Sequence, residues 1–389
     1  MANNSFIKID YKPNDLVANK YRIVKKLGEG GMNSVVYLGE DISINDNEYF
    51  SLKNKHVAIK VINRYASLSD DDWIKYHDEC VTASRLTGKK NIVSTYDVIS
   101  YNNDNTIVIV MEYVDGTSLR KYIDLSGSLN VNEAIYYFRL LLEAIRELHS
   151  FRGKIIHRDL KPENILLTKD LRNIKLIDFG ISSVIETIND KAKEVYTNEN
   201  VLYGTYPYIC PDLLKLKSVP PQQRQEMARQ IITVQFDFFS LGVIFYEMLT
   251  GEKPFYAENY DDVNVIGLPL KYDIISMHDI NPNIHVALEN IIFRCLASKP
   301  EDVKYRYSSI DQIISDLERY EKKPLSFVNA KLLKPKNRRV LPIKRTFNVE
   351  MQKTKEKFYV KKWFYWMILC VATSIVILTI ILISLHLIV

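Results

Sequence analysis

The sequence predicts an α+β fold of two lobes, a small β-rich one followed by a larger helical one, with a transmembrane helix at the C-terminus. Three observations lead there. Strand-like runs come first in the chain and helix-like runs later. The stretch HRDLKPEN at 157–164 packs a carboxylate, an ammonium and an amide into one short loop. The final 27 residues, 363–389, hold no Asp, Glu, Lys or Arg.

The β-rich part opens with YRIVKKLGEGG, VVYLGE and HVAIKVI, β-branched runs broken by Gly or polar clusters. The polar stretch between Glu40 and His56 reads as a long hairpin loop. Residues 72–86 have helical spacing, with Trp73, Tyr76, Cys80, Ala83 and Leu86 on one face. TIVIVMEYV is a short apolar strand. After Val131, NEAIYYFRLLLEAIRELHS is a long amphipathic helix, and VIFYEMLTG closes another with Gly251 as its C-cap.

The organisation is then a leader of low order over 1–20 and a folded region over 21–320, divided into lobes at about 114/115. A basic linker (321–362) and the apolar segment (363–389) follow. The chain has 389 residues, 25% charged and 47% apolar, a globular composition. Its net charge of +5 is uneven: the strip 321–362 carries +11, which leaves the first 320 residues at −6. Such a strip suits an anionic membrane surface or nucleic acid. Cys80, Cys210, Cys295 and Cys370 show no C-x-x-C spacing, which argues against a disulfide framework or zinc site and for reduced thiols in the cytosol. The polar N-terminus is not a signal peptide.

Gly28-x-Gly30 lies between two strand-like runs, where glycines let backbone N–H groups approach phosphate oxygens. A dinucleotide fold would need a helix directly after it, but VVYLGE follows. Asn33 stands where a third glycine would complete G-x-G-x-x-G, and Asn tolerates positive φ. Lys60 ends the apolar strand VAIK, and a lysine that binds phosphates needs a carboxylate partner, for which Glu79 on the next helix is the candidate. In HRDLKPEN, Asp159 can orient a hydroxyl and accept its proton, Lys161 can neutralise a transferred phosphoryl group, and Asn164 offers a neutral oxygen to a hard cation. Asp178, in the Asp-Phe-Gly that follows IKLI, is a carboxylate for Mg²⁺.

This ordered set, covering about residues 21–320, resembles the eukaryotic-type protein kinase family. The resemblance implies a Ser/Thr protein kinase using ATP and Mg²⁺, with Mn²⁺ as a substitute ion. It implies that Leu27, Gly28, Gly30, Val35, Ala58, Lys60, Glu79, Glu112, Val114 and Leu166 bind ATP, with Val35 and Ala58 roofing the adenine, Leu166 flooring it and Met111 as gatekeeper. Asp159 and Lys161 become catalytic, and Asn164 and Asp178 metal-binding. Gly204-Thr205 precedes the substrate platform, and Asp237 braces the catalytic loop. The usual Ala-Pro-Glu is Cys210-Pro211-Asp212, whose shorter Asp212 is expected to pair more loosely with Arg306. The stretch between Asp212 and Asp237 is longer than usual and reads as a surface excursion or a docking feature. Arg158 beside Asp159 implies activation by autophosphorylation between Ile181 and Tyr203, with Thr197 the first candidate and Thr187 the second.

LGEGGM, MEYVDGTSLR and YEMLTGEKPF are most similar to the bacterial membrane-bound Ser/Thr kinases with extracellular PASTA-type repeats, and no such repeats are expected here. The tail WFYWMILCVATSIVILTIILISLHLIV would span about 40 Å as a helix, more than a bilayer core needs. Trp363, Tyr365 and Trp366 mark its entry, and the basic strip puts the kinase in the cytoplasm, on a single-pass tail anchor in the cell membrane. Partners are then protein substrates and anionic lipids, with no nucleic acid, and a homodimer is open. The alternative is a pseudokinase, an ATP-binding scaffold at the membrane.

Overall fold

A computed structural model describes residues 9–30, 33–43, 56–64, 70–101, 105–151, 155–178 and 206–323. The linker and the apolar segment, from residue 324 onward, lie outside the described residues. Among the described residues, no helix is long and apolar enough to cross a membrane.

The small lobe is a six-stranded antiparallel sheet. Its strands are β1 (Leu16–Val17), β2 (Tyr21–Gly30), β3 (Ser34–Asp41), β4 (His56–Asn63), β5 (Thr95–Tyr101) and β6 (Thr106–Glu112), in spatial order β1-β2-β3-β4-β6-β5. The period-2 alternation of its strands sorts side chains onto two faces. Val57, Ile59, Val61, Val108 and Val110 point outward into a cluster with Tyr21, Ile23 and Tyr37. Ile62, Ile107, Ile109 and Met111 point inward to the main core. Helix α1 (Asp70–Ser84) covers the inner side, and Trp73, Cys80 and Leu86 are buried in that core.

The leader differs from expectation. Residues 9–17 are docked along the small lobe. Val17 is fully buried, β1 pairs with β2, and Ile9 and Tyr11 pack on the outer cluster. The polar composition of the segment conceals this, because backbone bonds and isolated apolar side chains hold it.

The large lobe contains the small sheet of β7 (Gly116–Ser118), β8 (Ile165–Thr168) and β9 (Ile174–Leu176), and the helices α2 (Leu119–Ser126), α3 (Val131–Ser150), α4 (Arg224–Ile231), α5 (Val234–Thr250), α6 (Val286–Leu296) and α7 (Ile310–Lys322). Helix α5 is buried from Phe236 to Leu249 and runs through the core, mostly apolar but for Asp237, Ser240 and Glu247. Phe138 of α3 stacks on Phe245 of α5 at 3.9 Å between ring centroids. Gly242 lets α6 approach closely, since a Cβ there would lie 2.8 Å from the Cys295 Cβ. Gly251 caps α5 at φ +74°, its N–H donating to the Glu247 carbonyl, as the sequence predicts.

The stretch after Asp212 is no excursion. It forms a 3-10 turn (Pro211–Ser218) and α4, and Leu216, Ala228 and Ile232 are buried in the main core. Asp212 and Arg306 meet at 2.5 Å, with Lys215 2.7 Å away on the other carboxylate oxygen. The missing methylene therefore does not loosen the pair; the 3-10 turn brings the shorter side chain to the fully covered guanidinium. Burial pushes the Asp212 carboxyl up, but Arg306 and Lys215 outweigh it, and the net is a pKa below the ordinary value.

Removing one partner of a buried ion pair strands the other. Arg306→Leu is expected to lower the unfolding free energy by about 3–5 kcal/mol, measured by urea denaturation, whereas Arg319→Leu on the exposed side of α7 should cost about 0–1 kcal/mol.

Candidate active site

The site lies where the two lobes meet. The junction is tied by backbone and side chain: Val93 N–H donates to the Leu176 carbonyl at 3.0 Å, Leu176 N–H to the Asn91 carbonyl at 2.9 Å, and Lys175 Nζ of β9 donates to Glu112 Oε2 of β6 at 2.8 Å. Glu112 and Val114 thus sit on the link between lobes, with Val114 half-buried against the main core.

Lys60, at the inner face of β4, is buried, and its Nζ donates to Asp178 Oδ1 at 2.6 Å. Glu79 lies on α1, but its side chain is outside what is described. Asp178 holds φ +57°, a left-handed conformation that a non-glycine residue adopts at a cost. Burial pushes its carboxyl up, the Lys60 ammonium pulls it down more strongly, and the net is a lowered pKa. Asp178 is therefore an anion, which suits a carboxylate expected to meet a cation.

The catalytic loop is fixed from below. Asp237, fully buried near the start of α5, accepts the backbone N–H of His157 at 2.9 Å and of Arg158 at 3.0 Å, and lies 2.8 Å from His149 Nε2 at the end of α3. Arg158 takes φ +68°, a strained turn that these bonds hold in place. The turn presents Asp159. Lys161 Nζ stands 2.8 Å from one Asp159 carboxylate oxygen and 3.1 Å from the other. Asn164 Nδ2 donates to the Asp159 carbonyl at 2.8 Å and to its Oδ2 at 3.0 Å. With its nitrogen so committed, the Asn164 amide presents its oxygen as the ligand atom. Ile177 N–H donates to the Asn164 carbonyl at 3.0 Å, which sets Asp178 next to the loop. Two oxygen ligands beside a phosphate site fit Mg²⁺, which takes one or two protein groups plus phosphates.

The side expected to face adenine differs from the sequence reading at one residue. Ala58 and Met111 are paired across β4 and β6 and share the inner face, and Leu166 is half-buried on β8 of the large lobe. Val35, however, pairs with Val61 and packs in the outer cluster, with Tyr37 and Ile59. The half-buried Val36 stands across from Lys60 and shares its face. A one-residue difference in register turns a side chain over, so Val36, and not Val35, shares the inner face with Ala58 and Lys60. Leu27, at a register shift in β2, is largely exposed, and Gly28 and Gly30 pair with Val36 and Ser34 in the hairpin. Asn33 adopts φ +51°, the left-handed conformation that a glycine would supply.

Phe179-Gly180, Thr187, Thr197 and Gly204-Thr205 lie outside the described residues. The platform resumes at Tyr206. Behind it is a network not anticipated from the sequence. Glu247 of α5 is buried and binds Arg120 at 2.7 Å, Lys253 at 3.1 Å and the Tyr208 hydroxyl at 2.5 Å. The YEMLTGEKPF and SLR segments contain Glu247, Lys253 and Arg120, but no spacing rule joins Arg120 to Glu247 across 127 positions.

The protein kinase domain family profile matches residues 21–316. A Mycoplasma pneumoniae protein assigned as a serine/threonine-protein kinase is 38% identical over 349 residues, 86% of each chain. A Mycoplasma genitalium protein assigned likewise is 36% identical over 368 residues, 90% of this chain and 92% of that one. The serine/threonine-protein kinase PrkC of Bacillus subtilis is 32% identical over 302 residues, 77% of this chain and 40% of PrkC.

His157 gives the site a pH dependence. It is fully buried, and burial holds its pKa below the ordinary value against the opposing pull of Asp237 and Asp159. The folded state thus favours the neutral imidazole. Its stabilisation is complete above the unfolded value near 6.5 and is lost as pH falls below it, by up to about 1.4 kcal/mol per pH unit. Urea midpoints measured from pH 7.5 to 5 should fall accordingly, and His157→Phe should flatten that slope while lowering stability at every pH.

Proposed function

The chain belongs to the protein kinase family, and we propose that its interlobe cleft moves the γ-phosphoryl group of ATP to protein Ser/Thr hydroxyls, with Asp159 as the proton acceptor. The supporting observation is convergence. Lys60 from the small lobe pairs with Asp178, Lys161 and Asn164 both bind Asp159, and the Ile177 N–H bond to the Asn164 carbonyl sets the two groups side by side.

Each residue has a distinct task. The hairpin Gly28–Gly30 lies over the phosphates, and Lys60 neutralises them. Asn164 and Asp178 would hold Mg²⁺, which when bound neutralises charge on the phosphates. A substrate hydroxyl oxygen attacks the γ-phosphorus, its proton passes to Asp159, and the bond to the β-phosphate oxygen breaks to leave ADP. Lys161 stabilises the charge on the transferred group. Val36, Ala58, Met111 and Leu166 bracket the adenine, and the backbone of Glu112 and Val114 supplies its hydrogen bonds. A scaffold without catalysis has no comparable support, since all four of Lys60, Asp159, Asn164 and Asp178 are present and the relatives above are assigned as kinases.

Activation by autophosphorylation belongs to the same proposal. Arg158 Nε is buried and has no hydrogen-bond partner among the described residues. A phosphate on Thr197, or on Thr187, would supply an anion for it. The membrane anchor is likewise proposed for 363–389, from its 27 residues without Asp, Glu, Lys or Arg and the basic strip before it. Anionic lipids are the proposed partners of that strip. A homodimer has no specific support among the described residues.

Purified chain incubated with MgATP and a generic basic protein should phosphorylate Ser and Thr. Asp159→Asn should lower kcat by about 10²–10⁴-fold while MgATP affinity stays within about twofold; an equal loss of binding would assign Asp159 to the nucleotide instead. Phosphopeptide mapping of active enzyme should find Thr197 or Thr187 modified, and an unmodified segment in active enzyme would remove the activation proposal.

A further inference from the structure

Asn63 ends β4 and is almost fully buried, yet it contacts no part of the catalytic set. Its side chain is held by the docked N-terminal segment. Asn63 Oδ1 accepts the Ile9 N–H at 3.0 Å and the Thr106 hydroxyl at 3.3 Å, and Nδ2 donates to the Ile9 carbonyl at 3.4 Å. Its backbone faces the other way, to the turn of the phosphate hairpin. Asn63 N–H donates to the Asn33 carbonyl at 3.3 Å, and the Asn63 carbonyl accepts Asn33 Nδ2 at 3.2 Å. A glycine at 33 could adopt the same φ of +51° but would have no amide with which to reach Asn63. The substitution that departs from the glycine pattern therefore adds a fixed attachment for the hairpin.

The N-terminal segment is itself secured. The Tyr37 hydroxyl donates to Asp10 Oδ1 at 2.6 Å and accepts the Tyr11 N–H at 3.2 Å. Asn14 N–H donates to the Ile23 carbonyl at 2.8 Å, and Ile23 N–H to the Asp15 carbonyl at 2.9 Å. An unbroken series of hydrogen bonds thus runs from residues 9–15, through Asn63, to the hairpin that faces the nucleotide phosphates.

We propose that Asn63 is a positioning residue for nucleotide binding, coupling the docked segment 9–17 to the phosphate hairpin through Asn33. This rests on the kinase reading of the cleft. The hairpin gains a preset position, so that less conformational freedom is lost when ATP binds. Loss of the coupling weakens MgATP binding and leaves the chemistry on the large lobe in place.

The test uses the full chain with MgATP, binding measured by calorimetry and turnover on a basic protein. Asn63→Ala is expected to raise Kd and KM for MgATP roughly fivefold, with kcat within about twofold. Ile9→Pro, which removes the N–H donor to Asn63, should do the same, and the double variant should be no worse than either alone, because both break one series. Asn33→Gly keeps the backbone conformation and removes the amide, and it too should raise KM. A folded Asn63→Ala enzyme with unchanged KM and Kd overturns the proposal, even if its melting temperature falls. So do effects of Asn63→Ala and Ile9→Pro that multiply in the double variant. Should Asn63→Ala fail to fold, Ile9→Pro and Asn33→Gly decide, and unchanged KM in both overturns it. A wild-type chain that binds no MgATP defeats the kinase reading and the coupling with it; a wild-type chain that binds it, with variants indistinguishable, defeats the coupling alone.

Discussion

The buried carboxylate of Asp237 is the constraint on which the catalytic loop depends. An unpaired carboxylate in the core would cost several kcal/mol. Asp237 offsets that cost by accepting two consecutive backbone N–H groups and contacting His149. Those two amides belong to His157 and Arg158, and both can point at one carboxylate only if the chain turns sharply between them. Arg158 at φ +68° is that turn. The strain is thus tied to a strong local interaction, and its product is the outward presentation of Asp159. Because His149 ends α3 and Asp237 lies near the start of α5, the loop inherits the rigidity of the Phe138–Phe245 packing between those helices. His157 adds a second hold, its ring meeting the Ile177 carbonyl at 3.2 Å, one residue before Asp178.

The small lobe reaches this frame through fewer contacts. Lys60 bridges to Asp178, and the 91–93 segment is bonded to β9. Both connections end on residues just ahead of, or within, the Asp-Phe-Gly stretch. The position of the small lobe and the conformation of Asp178 are therefore linked by charge as well as by backbone. Asp178 bears a lowered pKa in a half-buried site, so the Lys60 pair keeps a negative charge at the position expected to meet a cation.

Much of this was legible in the sequence, for an identifiable reason. In HRDLKPEN and Asp-Phe-Gly the reactive groups are close along the chain, so spacing and chemistry carry the same information. Gly251 and Asn33 were legible because their role is a backbone conformation that few residues adopt. Register was not. Val35, Val36 and Tyr37 are all able to face a core, so the residues themselves do not choose which alternate set points inward; pairing with β4 does. The docked segment 9–17 was missed because its hold comes from backbone donors and from Tyr37 and Asn63, which lie far along the chain. The stretch after Asp212 was missed because its buried residues are spread over a 3-10 turn and a short helix, which have no single period.

The same contrast explains the two departures from the family pattern. Asp212 is shorter than the glutamate it replaces, and Asn33 is larger than the glycine. Each would be a defect if the surrounding backbone were fixed. At Asp212 the backbone closes the gap, and Lys215 takes the second oxygen, so the carboxylate has two cations. At Asn33 the extra side chain finds an acceptor on β4, in a residue that also grips the N-terminal segment. A substitution at a motif position is therefore to be judged by whether the new atoms find partners. In both places they do: the Asp212 carboxylate meets Arg306 and Lys215, and the Asn33 amide meets the Asn63 carbonyl.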